Sequence, residues 1–314
     1  MSDQKRKKTS IGGQAVIEGV MMRGVDRSAM AVRRESGEIV VEQWEHKASS
    51  SVWYKRTPLI RGIFNFVDQM ISGYKCIMRS AELSGMDLEE EPSPFEQKLE
   101  KLFGEHLVKV LYGVASVLGV LLAVGLFMIL PTAISKGVNF LAGGAIANAG
   151  LSLLEGGIKI AVFVSYMALV RRMPEMYRMF SYHGAEHKTI ACYEAGEELT
   201  VENVRRHIRF HPRCGTSFLL IVLVISILVF SVVTWQNGIL RVVLKLLLLP
   251  VVVSISYEII KLAGRYDNLV TRIISKPGLW LQRLTTVEPD DSMIEVAIAS
   301  MKPVIPKEEG ADNW

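Results

Sequence analysis

Histidine and cysteine are scarce in this chain of 314 residues, which holds six of the first and three of the second. Cys76, Cys192 and Cys214 make no even set, so a disulfide-stapled scaffold is excluded and a reducing compartment is expected. A secretory signal is missing too: the opening "MSDQKRKKTS" is polar and no apolar core follows it, which predicts a retained, cytoplasmic N-terminus. The glycine-rich stretch "IGGQAVIEGVMMRG" leads into no helix with a Gly-Lys-Ser/Thr start, which excludes a phosphate-binding loop. Net charge is only +4, and its placement along the chain matters more than its size.

Long uncharged apolar runs are abundant. Val110 to Leu130 and Thr216 to Gln236 each hold 21 residues without a charge. As a helix, each is long enough for the roughly 30 Å hydrocarbon core. Ala149 to Val170 carries Glu155 and Lys159 near its start, an i,i+4 pair with the acid first. Ile239 to Leu262 carries Arg241 and Lys245 at one end and Glu258 and Lys261 at the other, where long basic side chains can snorkel. The predicted fold class is therefore mainly α: a polytopic membrane protein with about four transmembrane helices, a small N-terminal β-containing cytoplasmic segment and amphipathic helices.

Lys and Arg orient the chain. Residues 1 to 106 hold 16 of them, 171 to 215 eight, and the tail from 261 seven, whereas 131 to 150 has only Lys136. Short loops rich in Lys and Arg stay in the cytoplasm, so both termini and the loop between spans two and three are placed inside. The location expected is the bacterial cytoplasmic membrane. Basic charge along its inner face points to anionic lipid headgroups as partner, not to nucleic acid.

This divides the chain into a β-rich segment (1–57), an amphipathic helix and acidic linker (58–106), spans one and two (107–170), a His/Cys loop (171–215), spans three and four (216–262) and a helical tail (263–314). "AMAVRRESGEIVVEQWEH" reads as two strands about a tight turn at Ser36-Gly37. The glycines of "IGGQAVIEGVMMRG" mark a short strand or a close backbone approach, with Gln14, Glu18 and Arg23 as polar members; strand and turn is the favoured reading, a ligand site the other. Ile60, Ile63, Phe64, Val67, Met70, Ile71 and Tyr74 recur at helical spacing over 58 to 79. That helix either lies in the membrane surface or packs on the soluble part. "DLEEEPSPFEQ" is an acidic linker, and "PDDSMIEVAIASMK" has Asp290 or Asp291 as N-cap of a further helix.

The chemistry concentrates in 183 to 214. Pro174 opens and Gly196 closes a predicted helix on which His183 and His187 lie one turn apart on one face, with Glu186 adjoining and Glu194 two turns on. His-x-x-Glu-His is the inverted zinc-protease spacing, in which two imidazoles hold zinc and a glutamate activates water. Downstream, "FHPRCGTSF" offers His211-x-x-Cys214 in a tight turn fixed by Pro212. Together these read as two ligand pairs separated by 23 residues, like a zinc finger with its pairs reversed. His207 is a spare and Cys192 the expected exception. With four ligands, His183, His187, His211 and Cys214, the zinc would be closed and structural, and Glu186 would orient an imidazole. With three, a water completes the shell and Glu186 serves as base. Glu258 is either a further ligand or the partner of Lys261. The bland alternative is a hydrogen-bonded loop whose histidines face lipid headgroups.

"IGGQAVIEGVMMRG", "YHGAEHKTIACYE" and "FHPRCGTSF", in that order, resemble the YqhQ-like family of bacterial multi-pass membrane proteins, from Ile11 to the helices after the fourth span. The resemblance implies a metal-dependent enzyme of no established reaction, with His183, Glu186, His187, His211 and Cys214 matching the metal-like motifs. Two functions stay open: a membrane-surface zinc hydrolase of a peptide or lipid-linked substrate, approached by the segment from Gln14 to Arg23, and a non-enzymatic scaffold or regulator of another membrane assembly clamped by zinc. A transporter is the weaker third, because Glu155, Lys159 and Glu258 all lie toward span ends.

Overall fold

The computed structural model describes residues 8–45, 53–85, 114, 117–231, 238–266, 268–308 and 310–313. The chain divides into two compact units, one made of residues 1–86, 167–225 and 248–314, the other of 87–166 and 226–247.

In the first unit, β1 (Gly12–Val16), β2 (Gly19–Arg23), β3 (Arg27–Arg33) and β4 (Ile39–Glu45) form an antiparallel meander in chain order. The β3–β4 hairpin turns at Ser36-Gly37 as its sequence predicts, with Gly37 at φ 86°. The glycine-rich stretch makes two strands, β1 and β2, joined at Ile17-Glu18. Glu18 sits at φ 49°, and its carboxylate is held by Arg178 Nε (2.7 Å) and Tyr182 Oη (3.2 Å). Alternation gives the sheet two apolar faces. Val20, Met22, Ala29 and Ala31 pack with Tyr182, Ala185, Ile294 and Met301 on one side. Val16, Met21, Met30 and Val32 pack with Cys76 and Leu83 on the other.

Cys76 and Leu83 belong to α1 (Ile60–Ser84), the predicted amphipathic helix. It packs on the soluble part through them, and also leaves Phe64, Val67, Met70 and Tyr74 exposed. Its N-terminal turn lies against residues of α7 (Gly238–Arg265): an added Cβ at Gly62 would stand 3.0 Å from Ser254 Cα.

Among the described residues, three helices are long and apolar enough to cross a membrane: α2 (Val117–Leu141), α3 over Gly150–Val170 of its full Asn148–Val170, and α7 over Val243–Arg265. These are the features of a membrane protein. The sequence ended the first span at Leu130 and read 131–150 as a connection, but the helix continues to Leu141. Pro131 is accommodated because a π-helical turn, Gly125–Ile129, precedes it and Thr132 Oγ1 donates to the Met128 carbonyl at 2.9 Å. The predicted third span appears as the shorter apolar helix α6 (Gly215–Ser231), and its remainder lies outside the described residues, as do the acidic linker and the start of the first span. Within the second unit Glu155 bonds Lys159 (3.0 Å) and Lys245 (2.6 Å), all three buried, and the Phe230 ring lies under both ammonium groups.

The site is carried by α4 (Pro174–Glu194), the short α5 (Val201–Arg206), the turn before α6, α8 (Leu269–Thr285) and α9 (Asp291–Met301). Asp290 caps α9 by accepting from the Met293 N–H at 2.9 Å.

Candidate metal centre

Pro174 starts α4 and Gly196, at φ 72°, follows its end, so His183, Glu186 and His187 share one helix within a little over a turn. Cys214 immediately precedes α6, with its Sγ accepting from the Thr216 N–H at 3.4 Å. A sulfur at a helix start is favoured as thiolate by the positive end of the dipole.

These elements bring one ligand atom each of His183, His187 and Cys214 within 4.8 Å of one another. His183 Nδ1 lies 2.8 Å from the Thr285 carbonyl and His187 Nδ1 lies 2.6 Å from the Arg209 carbonyl. A carbonyl can only accept, so both Nδ1 atoms donate, which leaves each Nε2 for the cluster. His183 Nε2 reaches Cys214 Sγ at 3.2 Å. Backbone carbonyls that fix the tautomer are the usual partners of metal-binding imidazoles. Burial opposes a charged His183, but the Cys214 sulfur and the Glu186 carboxylate outweigh it and push its pKa up to about 9. Burial likewise opposes ionisation of Cys214, and the two imidazoles outweigh it, holding the thiol well below its ordinary value. The cluster thus favours thiolate, the form that binds metal.

Glu186 lies beside the cluster, Oε2 at 4.0 Å from His183 Nε2. It is buried, and that oxygen has no hydrogen-bond partner. Burial raises its pKa, against the two imidazoles and a hydrogen bond from the Gly13 N–H. Gly13 must be glycine: an added Cβ would meet Met21 O at 2.7 Å and Glu186 Cγ at 3.0 Å. It also lines a cavity of about 510 Å³ with Gly12, Arg23, Trp44, Gln69 and Lys75.

His211 sits next to the trio without joining it. Its ring centroid is 5.7 Å from that of His187, and its Nε2 faces Glu194 (3.5 Å) and Arg213 (3.3 Å). Glu194, a predicted accessory residue, therefore reaches the centre only through His211. Burial raises its pKa, but His211, Arg213 and the Thr9 N–H outweigh this and hold it below the ordinary value. Its contribution to stability is therefore present above about pH 4.5 and is lost as pH falls through its lower folded value. Glu194→Gln is expected to cost about 1.5–3 kcal/mol at neutral pH, with the gap to the parent narrowing on acidification, as read by thermal unfolding in detergent from pH 7 to 3.

The other candidate residues have partners of their own. Glu258 lies outside the cluster and pairs chiefly with Arg61 rather than Lys261: Arg61 Nε (2.7 Å) and the Leu59 N–H (3.2 Å) take its carboxylate, because the α1 start meets α7 there. Gln14 bonds Gly73 O and Gln69 on α1, both at 3.4 Å, and Glu18 is taken by Arg178 and Tyr182. Arg23 lines the cavity beside Gly13. His207 and the set-aside Cys192 gather with Glu197 into a second cluster, where burial pushes the Cys192 thiol up to about 11.

Three supporting residues carry no motif signal. Gln282, fully buried on α8, accepts from the His211 N–H at 2.8 Å and donates to its carbonyl at 2.7 Å. Lys188, buried, ties α4 to the Arg205 carbonyl (3.0 Å) and to Glu288. Thr285 supplies the carbonyl on His183.

The chain is 34% identical over 296 residues, 94% of its length and 92% of the relative's, to "Uncharacterized protein YqhQ" of Bacillus subtilis (strain 168). No solved structure matches it. Residues 57–307 match the family described as "Protein of unknown function (DUF1385)", a stretch containing every residue of the His183–His187–Cys214 cluster, and the chain belongs to that family.

Proposed function

We propose that this protein is a metal-dependent hydrolase of a membrane surface, with one zinc ion on His183, His187 and Cys214 and with Glu186 as general base. The observation that carries this reading is the Glu186 Oε2 atom, buried, without a partner, and beside three convergent ligand atoms. An unsatisfied buried polar atom costs about 1–3 kcal/mol, more if charged, and an ion with its water offsets that cost. The donor set also fits. Two imidazoles and a thiolate suit zinc, and three protein ligands leave its fourth position open. The ligand atoms need close only to the separation of about 3.5 Å that a tetrahedral shell requires.

When bound, zinc supplies Lewis acidity that lowers the pKa of a water to near neutral. Glu186, its pKa raised by burial and its Oε2 without a partner, would take a proton from the attacking water and return it to the leaving atom as the bond to the leaving group breaks. The Gly13 N–H steadies the carboxylate throughout. The three basic segments support a cytoplasmic position for the site. One observation favours the rival scaffold: the His211 ring is near enough to His187 that a turn of its side chain could close the shell.

Full-length protein purified in detergent is expected to carry one zinc per chain, with an X-ray absorption shell of two nitrogens, one sulfur and one light atom. Cobalt in its place is expected to give visible bands that titrate as the water ionises. Glu186→Gln should keep the metal and shift that titration. A shell of three nitrogens and a sulfur, or bands insensitive to pH, would leave only the scaffold; a chain that takes up no metal would remove both.

A further inference from the structure

α8 has two faces with different tasks. Its inner face carries Gly278, Gln282 and Thr285, which touch the metal centre's supports. Gly278 lets the helix lie directly on the start of α6: an added Cβ would stand 2.5 Å from Ser217 Oγ and 3.0 Å from Ser217 Cα. Its outer face exposes Leu269, Val270, Ile273, Ile274 and Trp280. The spacing 269, 273, 280 with 270, 274 is one helical stripe, and no water-facing helix has reason to display it.

What covers the stripe is indicated by position and charge. α8 begins at Leu269, a few residues after α7, one of the helices apolar enough to span a membrane, and an Asn268/Thr271 capping box fixes the new start. It carries Arg272, Lys276 and Arg283 and no acid. An apolar stripe, basic flanks and a tryptophan are the marks of a helix lying in the headgroup layer of a bilayer. Beside it runs an open groove of about 690 Å³, mostly apolar, walled by Ile208, Phe210, Pro212 and Trp280, with Lys276 and Arg283 at its margin. Pro212, in its wall, lies two residues before Cys214 in the chain.

We infer that this groove binds an anionic membrane lipid, its acyl chain along the apolar walls and its headgroup phosphate on Lys276 and Arg283. This goes beyond the hydrolase reading above and does not depend on it. Apolar surface accepts the chain, and the two cations select the headgroup charge.

The test uses Trp280 as a reporter in the full-length protein in lipid nanodiscs, with Trp44, Trp53, Trp235 and Trp314 changed to Phe. Lipids brominated near the headgroup end of the acyl chain should quench Trp280. A minor share of brominated phosphatidylglycerol should quench more than the same share of brominated phosphatidylcholine, with enrichment on the order of fivefold per basic residue. Lys276→Gln with Arg283→Gln should abolish the preference and keep the quenching. Quenching by acrylamide alone would put α8 in water. Quenching by neither would mean a protein partner covers it, and equal quenching by both lipids would mean bilayer contact without headgroup selection. Each overturns the inference. If the four changes unfold the chain, photocrosslinking of the unaltered protein with a diazirine-tailed phosphatidylglycerol must label 208–212 or Trp280, and labelling elsewhere overturns it equally. Zinc content is read on the same samples: lipid selectivity without metal would remove the hydrolase and leave the groove.

Discussion

Gly184→Ala is expected to destabilise the unit that holds the candidate metal centre by about 3 kcal/mol or more, at the upper end of what overpacking costs. In most helices the same change gains about 1 kcal/mol, since glycine is the poorer helix former. Here contact decides the sign. A Cβ on Gly184 would fall 2.0 Å from the Val287 carbonyl oxygen and 3.3 Å from Pro289 Cδ. The first is backbone, and it is tethered, because the Val287 N–H donates to the Phe180 carbonyl at 2.9 Å. Relief requires moving the 285–289 segment off α4. That segment carries the Thr285 carbonyl on His183 and the Glu288 carboxylate on Lys188, so metal affinity should fall with stability. Gly157→Ala is the control: it too lies in a helix, α3, but an added Cβ meets nothing within 4 Å. It should be neutral or stabilising by up to about 1 kcal/mol. Thermal unfolding in detergent, with zinc analysis of the folded fraction, reads both. A Gly184→Ala protein as stable as its parent would mean that the segment is not docked on α4.

What could be read ahead of the structure, and what could not, follows the range of the forces. The Ser36-Gly37 turn and the α4 boundaries at Pro174 and Gly196 are set by backbone chemistry within a few residues, and the sequence shows them. The one-turn spacing of His183 and His187 is of the same kind. Approach of Cys214 to that pair was suggested only by ligand types in a two-pair pattern, since no local rule sets a contact across 31 positions. His211 and Glu258 show the limit. Each has the chemistry of a ligand, but Glu194 and Arg213 compete for one and Arg61 for the other, and such competitors are invisible in a linear pattern. The end of α2 was missed because a π-turn and the Thr132 hydroxyl together let the helix pass Pro131. Gly13 was marked as a close approach, but what it approaches, Glu186, depends on packing between β1 and α4.

Cys214→Ala and His211→Ala should part company in metal affinity, and the size of the gap decides between an open and a closed centre. Cys214 supplies the only sulfur in the trio, and its thiol is already biased to the charged form by the two imidazoles. In the proposed centre its loss would remove one of three ligands and leave two nitrogens, and the drop should exceed the 10–100-fold that loss of an orienting partner produces. His211 stands outside the trio. Its Nε2 is engaged by Glu194 and Arg213 and its backbone by Gln282, so His211→Ala should cost at most that 10–100-fold and leave the sulfur–zinc distance unchanged. Competition against a zinc chelator at pH 7 measures both affinities on the same scale, and X-ray absorption reports whether sulfur stays in the shell. If the two variants lose metal to the same degree, His211 is a fourth ligand, no position is left for water, and Glu186 orients an imidazole in a structural clamp. If only Cys214→Ala does, the unpartnered Glu186 oxygen faces an open coordination site, the arrangement that hydrolysis needs.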